Sequence, residues 1–363
     1  MLGENKTPFA AIGFEQAHVN GNDMGVIAVR GRYRVERDGS LELLSAQEIV
    51  LVDTYAGIPQ STPLVQAADL IPFKPATDVT VLATSYPPNA IAQDVTWLAG
   101  VRIEEYKYAV RVFGQRYWER QGKDLRPGSP QLAKPTPIDY RFTWSDLHLE
   151  EMPSDPAPYN PVGVRLPNDD IDAVLNAPMA LIQAWNDESF NAKNAINTPA
   201  GFAPIAPFWR DRQQYAGTYN DDWQNNRHPL LPVDFDYRFY QCAPPQLIMG
   251  GFLVGDEEIE LFRLHAELES IVFRLPRIQP YAKFQWTDER VVPMRLNLDG
   301  VHIDARGTDI LVDVTWRGWL PICPSFFRID LFVAPLGDLV CYEMPFSGID
   351  GLEDVHAVDK VVA

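Results

Sequence analysis

The sequence predicts a mainly β protein: antiparallel sheets in one or two sandwich-like halves, few helices, and a long ordered loop region rich in proline and aromatic residues. Three observations carry this. Short stretches near both ends alternate apolar and polar side chains with period two, the pattern of a strand with one face toward a core. Asp-Gly dipeptides follow or interrupt such stretches at 38–39 and 299–300, and Asp-Gly suits a two-residue hairpin loop. Of 31 prolines, seventeen lie between Pro127 and Pro245. A residue without an amide donor and with fixed φ excludes regular sheet and long helix from that region.

Taken in chain order, residues 26–37 set Ile27, Val29, Tyr33 and Val35 against Arg30, Arg32, Arg34 and Glu36. This predicts an antiparallel strand with a charged, wet face. Asp38-Gly39 turns the chain, and Leu41 to Leu43 starts back. Stretches 78–83, 95–103 and 106–113 read as further strands, the last two joined by Glu104-Glu105. The middle holds Trp144, Trp185, Trp209 and Trp223, which need burial, so it is expected to be ordered loop rather than disordered chain. One helix is expected around 169–184, opened by Asn168 or Asp169 and broken at Pro178. Toward the C-terminus, 258–264, 271–275, 282–286 and 293–298 are strand-like. A second hairpin is expected at Asp299-Gly300, followed by strands at 309–317, 327–333 and 339–344. The expected division is an N-terminal β half (1–120), a Pro/Trp-rich loop region packed on the sheets (121–245) and a C-terminal β half (246–363). One Asp-Gly hairpin in each half leaves room for pseudo-equivalence, although no sequence repeat accompanies it.

The 363 residues are 46% hydrophobic and 22% charged, the balance of a folded protein with a full core. No apolar run approaches the roughly 18 residues a membrane span needs, and the first residues lack a basic-then-apolar leader. A cytoplasmic location without membrane insertion is expected. The net charge of −18 repels nucleic-acid phosphates and anionic lipid and favours basic partners. Cys242, Cys323 and Cys341 cannot all pair and form no CxxC, so buried reduced thiols are expected.

The densest motif runs from Gly217 to Asp236 and contains Thr218, Tyr219, Trp223 and four aspartates: Asp221, Asp222, Asp234 and Asp236. Carboxylates framed by aromatics suit a glycoside-cleaving cleft, and the Asp-x-Asp spacing suits a hard cation. In proline-rich loops, however, Asp and Asn mostly bond their own backbone, and Arg210, Arg212, Arg227 and Arg238 stand ready to neutralise them. A structural ion-pair network is therefore the leading expectation, with partner contact and catalysis behind it. A second cluster, Val112 to Trp118, puts Arg116 and Trp118 beyond Gly114 at a strand end. They read either as a recognition anchor or as a buried arginine tying down loops. The six histidines show neither HxH nor HExxH spacing, and GxSxG, GxGxxG and GxxxxGK[ST] are missing. No cofactor or metal is expected.

Several long strings, kept in order, resemble the domain-of-unknown-function 2169 family. They are DTYAGIPQST (53–62), ADLIPFKPATDVTVLATSYPP (68–88), VFGQRYW (112–118), YNPVG (159–163), GFAPIAPFWRDRQQYAGTYNDDW (201–223) and HPLLPVDFDYRFYQCAPPQ (228–246). Members commonly carry a double glycine after the strand that here ends near Tyr140; this chain has Arg141-Phe142-Thr143-Trp144 instead. The resemblance implies a protein of bacterial type VI secretion neighbourhoods without catalysis of its own. It would be an adaptor or chaperone that binds an effector, or its VgrG/PAAR spike carrier, before secretion. A structural part of the secretion machine, or a hydrolase using the 221–236 aspartates, are the alternatives. The motif-core residues that such binding would use are Arg116, Trp118, Trp209, Arg212, Gly217, Thr218, Tyr219, Trp223, Asp234, Asp236 and Arg238.

Overall fold

The computed structural model describes residues 2–88, 96–122, 124–145, 157–165, 174–185 and 199–333. Its strands, in chain order, begin with β1 (Leu2–Asn5), β2 (Ala10–Ala17), β3 (Asp23–Val35), β4 (Leu41–Leu43), β5 (Thr54–Tyr55), β6 (Leu64–Gln66) and β7 (Asp78–Ser85). Then come β8 (Thr96–Ile103), β9 (Tyr106–Phe113), β10 (Trp118–Gln121), β11 (Asp124–Pro127), β12 (Thr136–Pro137) and β13 (Ile182–Ala184). The last are β14 (Glu258–Phe262), β15 (Ser270–Arg274), β16 (Pro280–Trp286), β17 (Val291–Arg295), β18 (Asn297–Ala305), β19 (Ile310–Pro321) and β20 (Phe326–Val333). The helices are short: α1 (Arg210–Gln213), α2 (Asp221–Asn226) and a few 3-10 turns.

Three sheets matter. The largest, of seven strands, runs β12-β7-β18-β19-β3-β2, with β4 paired to β3. A five-stranded sheet runs β13-β9-β8-β14-β15, and a four-stranded one runs β1-β20-β16-β17. All pairings in them are antiparallel except β1 with β20 and β7 with β18. Alternate residues of all three meet in one core: Ile27, Val29, Val81, Val312 and Val314 from the first, Val101, Val110, Ile259 and Leu261 from the second, Phe284, Ile329 and Leu331 from the third. Edges are guarded. Pro293 on β17 and Pro137 on β12 remove donors from edge strands. The β3–β4 turn lies against the β15 edge, where Gly39 takes φ +82 and a Cβ would come 2.5 Å from the Val272 carbonyl oxygen.

Several expectations are corrected here. Asp299-Gly300 is no hairpin: β18 runs through both residues, with a register irregularity between Leu298 and Gly300. With it goes the matched hairpin in each half. The charged face of β3 is wet only toward its end: Arg30 is buried under the segment around Asp69, whereas Arg32 and Arg34 keep about a third or more of their side chains exposed. The helix expected around 169–184, with its break at Pro178, does not resume after that break. Its first part lies outside the described residues, Pro178 bridges to Tyr117, and Ile182–Ala184 is a strand on β9. Of the cysteines, Cys242 is buried but Cys323 is exposed; it stands in the turn before β20. Cys341 and the strand expected at 339–344 lie outside the described residues. The first and last thirds of the chain also share sheets, since β7 and β18 are neighbours, as are β3 and β19.

Candidate docking lobe and a buried charge cluster

The loop region lies on the sheets through backbone bonds: the Val81 amide donates to the Phe202 carbonyl at 2.8 Å, and the Phe113 amide to the Leu181 carbonyl at 2.9 Å. Trp209 is fully buried against the Tyr140 ring (centroids 5.2 Å apart), among Leu64, Ala203, Ile205 and Ala206. Tyr140 donates its hydroxyl to the Ala203 carbonyl at 2.6 Å. Tyr55 and Val65 pack on this cluster, so the 53–62 and 201–223 strings meet there. Arg212, in α1, is buried and clamps two loop segments. Its Nε donates to the Phe239 carbonyl (2.8 Å) and its Nη1 to the Ile205 carbonyl (3.0 Å).

Beyond α1 the chain forms a lobe. Gly217 takes φ +77, and a Cβ there would stand 2.8 Å from Pro232 and 2.9 Å from an Asp234 carboxylate oxygen, so only glycine fits. Asp234 accepts from the Thr218 amide (2.9 Å) and hydroxyl (2.7 Å). Those bonds hold its carboxyl below the usual range. Asn220 caps α2 by accepting from the Trp223 amide at 2.9 Å. Trp223 donates Nε1 to the Leu230 carbonyl at 2.8 Å and meets Tyr219 edge to face at 4.7 Å. Asp236 accepts from the Arg238 amide and Nε, both at 2.8 Å, and the Arg238 guanidinium lies 4.4 Å from the Tyr215 ring centre. Arg227 reaches the Val19 carbonyl, and the Val19 amide donates to the Tyr237 hydroxyl at 3.1 Å, which pins the lobe to the sheet.

The four aspartates therefore do local work. Asp234 and Asp236 fix turns. Asp221 and Asp222 stand in the first turn of α2, and Asp222 accepts from Asn226 at 2.8 Å. The expected ion-pair network is smaller than the sequence suggests: of these four, among the described residues, only Asp236 is paired with an arginine, Arg238, while Arg212 and Arg227 give their donors to backbone carbonyls. Among the described residues no group of three His, Cys, Asp or Glu is placed to hold a metal. What the lobe does present to solvent is Tyr219 (55% exposed), Val233 (76%), Asp221 and Asp222.

Arg116 and Trp118 are elsewhere. Both are buried, Trp118 in a small cluster with Val174 and Met179, apart from the packing around Trp209. The Arg116 guanidinium lies 3.4 Å from the Phe113 ring centre and donates to the Ala180 carbonyl at 3.3 Å. Burial lowers its pKa to about 10. This is an interior arginine that ties a loop to a strand end, not an exposed anchor.

Sequence reading missed a buried charge cluster under the segment around Asp69. Arg30 meets Asp69 at 3.2 Å and Asp313 at 2.8 Å; Arg317 meets Asp299 and also the Asp69 carbonyl at 3.1 Å; Lys74 meets Asp78 at 3.0 Å. Asp78 also accepts from the Cys242 amide, which joins the 68–88 and 228–246 strings. Burial alone would lower the Lys74 pKa, but Asp78 and its neighbours raise it; burial pushes the Cys242 thiol up to about 11. A cavity of about 40 Å³ lies among Arg30, Asp69, Lys74, Asp78 and His302, room for a few waters only. The available signal was Asp69, Lys74 and Asp78 within one Pro-rich string, together with arginines on alternate positions of β3.

Fold and lobe together define a class: a sandwich-like β scaffold that carries a rigid, proline-shaped surface lobe. Within that class the chain belongs to the DUF2169 family, described as an uncharacterized protein conserved in bacteria, whose model matches residues 20–317. No curated protein and no solved structure matches the chain. No helix among the described residues is long and apolar enough to cross a membrane.

Proposed function

We propose that this protein is a non-enzymatic, cytoplasmic accessory of type VI secretion, an adaptor that holds an effector or its VgrG/PAAR carrier until loading. The observation that carries the reading is the lobe at 217–238. Its backbone is fixed by Gly217, Asp234, Asn220 and Asp236, while Tyr219, Val233, Asp221 and Asp222 face solvent. Fixed aromatic and apolar groups beside solvent-facing carboxylates form a docking surface with little entropy to lose on binding. The net charge of −18 steers a basic partner segment toward it. The link to secretion comes from the sequence resemblance; the docking chemistry comes from the lobe.

Affinity capture from lysate of the native bacterium tests this. The wild-type chain is expected to recover an effector or spike protein encoded nearby. A variant with Tyr219→Ala, Val233→Ser and Asp221→Lys, all exposed sites, is expected to recover at least about tenfold less. Association should slow as salt rises. Recovery of no secretion protein by the wild-type chain overturns the proposal.

A further inference from the structure

We infer a second docking surface, with cations at its rim, on the outer face of the five-stranded sheet. Strands β8, β9 and β14 turn Val101, Ile103, Tyr108, Val110, Ile259 and Leu261 to the core. The alternate residues face away from it. Across that outer face Ala109, Gly100 and Phe262 stand in one register row. Two of the three lack bulk, and a notch of about 190 Å³ opens there between Phe262, Ala109 and the stems of Arg102 and Lys107. That is space for one large apolar side chain. Gly100 cannot easily be anything else, because a Cβ there would lie 3.0 Å from the Tyr108 carbonyl oxygen and 3.2 Å from the Ala109 methyl.

Cations bracket the notch. One row toward the β8–β9 turn, Lys107 is paired with Arg102; one row the other way, Arg111 is paired with Leu98. Arg102 is neutralised by Glu258 and Glu260, both at 2.8 Å. Lys107 is exposed and has no ion pair among the described residues. Arg111 gives a hydrogen bond to the Trp185 carbonyl at 3.0 Å and likewise has no carboxylate partner there. Two cations outside any ion pair among the described residues stand out in a chain of net charge −18; the Glu260 carboxylate also lines the notch and feels the Lys107 charge, but it is held by Arg102. Leu98 and Val272, both about two-fifths exposed, extend the apolar area.

The spacing selects the occupant. Lys107 and Arg111 lie two residues either side of Ala109, about 13 Å apart along the strand at the usual rise. An extended peptide laid along β9 repeats side chains on one face at the same interval. An apolar residue seated in the notch then places the residues two before and two after it over the cations. The partner is an extended protein segment of the form acidic–x–apolar–x–acidic. The lobe offers carboxylates and this face offers cations, so one scaffold can hold two chemically different segments. The inference rests on the sheet's register and stands apart from the secretion reading.

Fluorescence anisotropy with a labelled peptide tests it. The probe carries glutamate, threonine, leucine, threonine and glutamate in that order; one control replaces both glutamates by lysine, another replaces leucine by glycine. The full chain is expected to bind the probe at least about tenfold tighter than either control. Lys107→Glu and Ala109→Val, which fills the notch, should each weaken binding about tenfold or more, whereas Tyr219→Ala in the lobe should leave it unchanged. Equal binding of the three peptides, or no effect of Lys107→Glu at its exposed position, overturns the inference. Either result leaves the lysate capture outcome untouched, so the two readings fail separately.

Discussion

Arg317 is 2% exposed and holds a carboxylate on one side and the Asp69 segment on the other. A buried charge is tolerated only while it is paired, and removing one partner strands the rest. Arg317→Leu is therefore expected to lower stability by about 3–5 kcal/mol, read by urea unfolding. Asp299→Asn should also destabilise, and the double variant should lose clearly less than the sum of the singles. Additive losses would show that the pair does not act as a unit. The same contact explains the misreading of Asp299-Gly300. A hairpin of that sequence needs positive φ; Gly39 has it and Gly300 does not. Asp299 is committed to Arg317, eighteen residues on and across the β18–β19 pair. Dipeptide chemistry reports a local preference, and a buried ion pair outweighs it.

Elements whose signal is local were legible. Period-two alternation located β3, β7, β8, β9 and β19 to within a few residues, because a sheet face must bury every second side chain. What covers each face is a tertiary fact. The arginines of β3 alternate as for a wet face, yet Arg30 lies beneath Asp69. In the docking lobe the turn-fixing roles of Asp234 and Asp236 were legible from Asp in a Pro-rich loop. Arg116 reads from sequence either as a recognition anchor or as a buried tie, because nothing in a strand end tells which side is roofed. The described loops show why proline-rich chain can be ordered: Tyr140, Phe202, Trp209 and the Arg212 guanidinium are buried, although Trp185, also expected inside, is half exposed. Trp209→Ala removes the largest of these anchors, which the Tyr140 ring touches. It should cost about 3–5 kcal/mol. Limited proteolysis should then cut within 201–246 well before the sheets unfold. Cleavage no faster than in the wild type would show that the loops are held by other means.

At the scale of the whole molecule the decisive feature is how the two ends of the chain interleave. β3 lies between β2 and β19, and β7 between β12 and β18. Twelve residue pairs join β3 to β19, from Ile310–Val35 to Pro321–Met24. A chain cut after residue 120 would open the β19 side of β3 and both sides of β7, and leave Arg30 without Asp313. Open strand edges and a buried charge network stripped of part of its partners both oppose folding. The fragment 1–120 is therefore expected to be unfolded alone, with little β signal in circular dichroism and no dispersed amide spectrum. The intact protein should unfold in one calorimetric transition, because its three sheets share a core and cannot melt separately. Pairings this distant in sequence also predict slow folding, since loop closure precedes any gain from contact. A folded 1–120 fragment, or two resolved transitions in the intact chain, would show instead that the sheets are joined units with cores of their own.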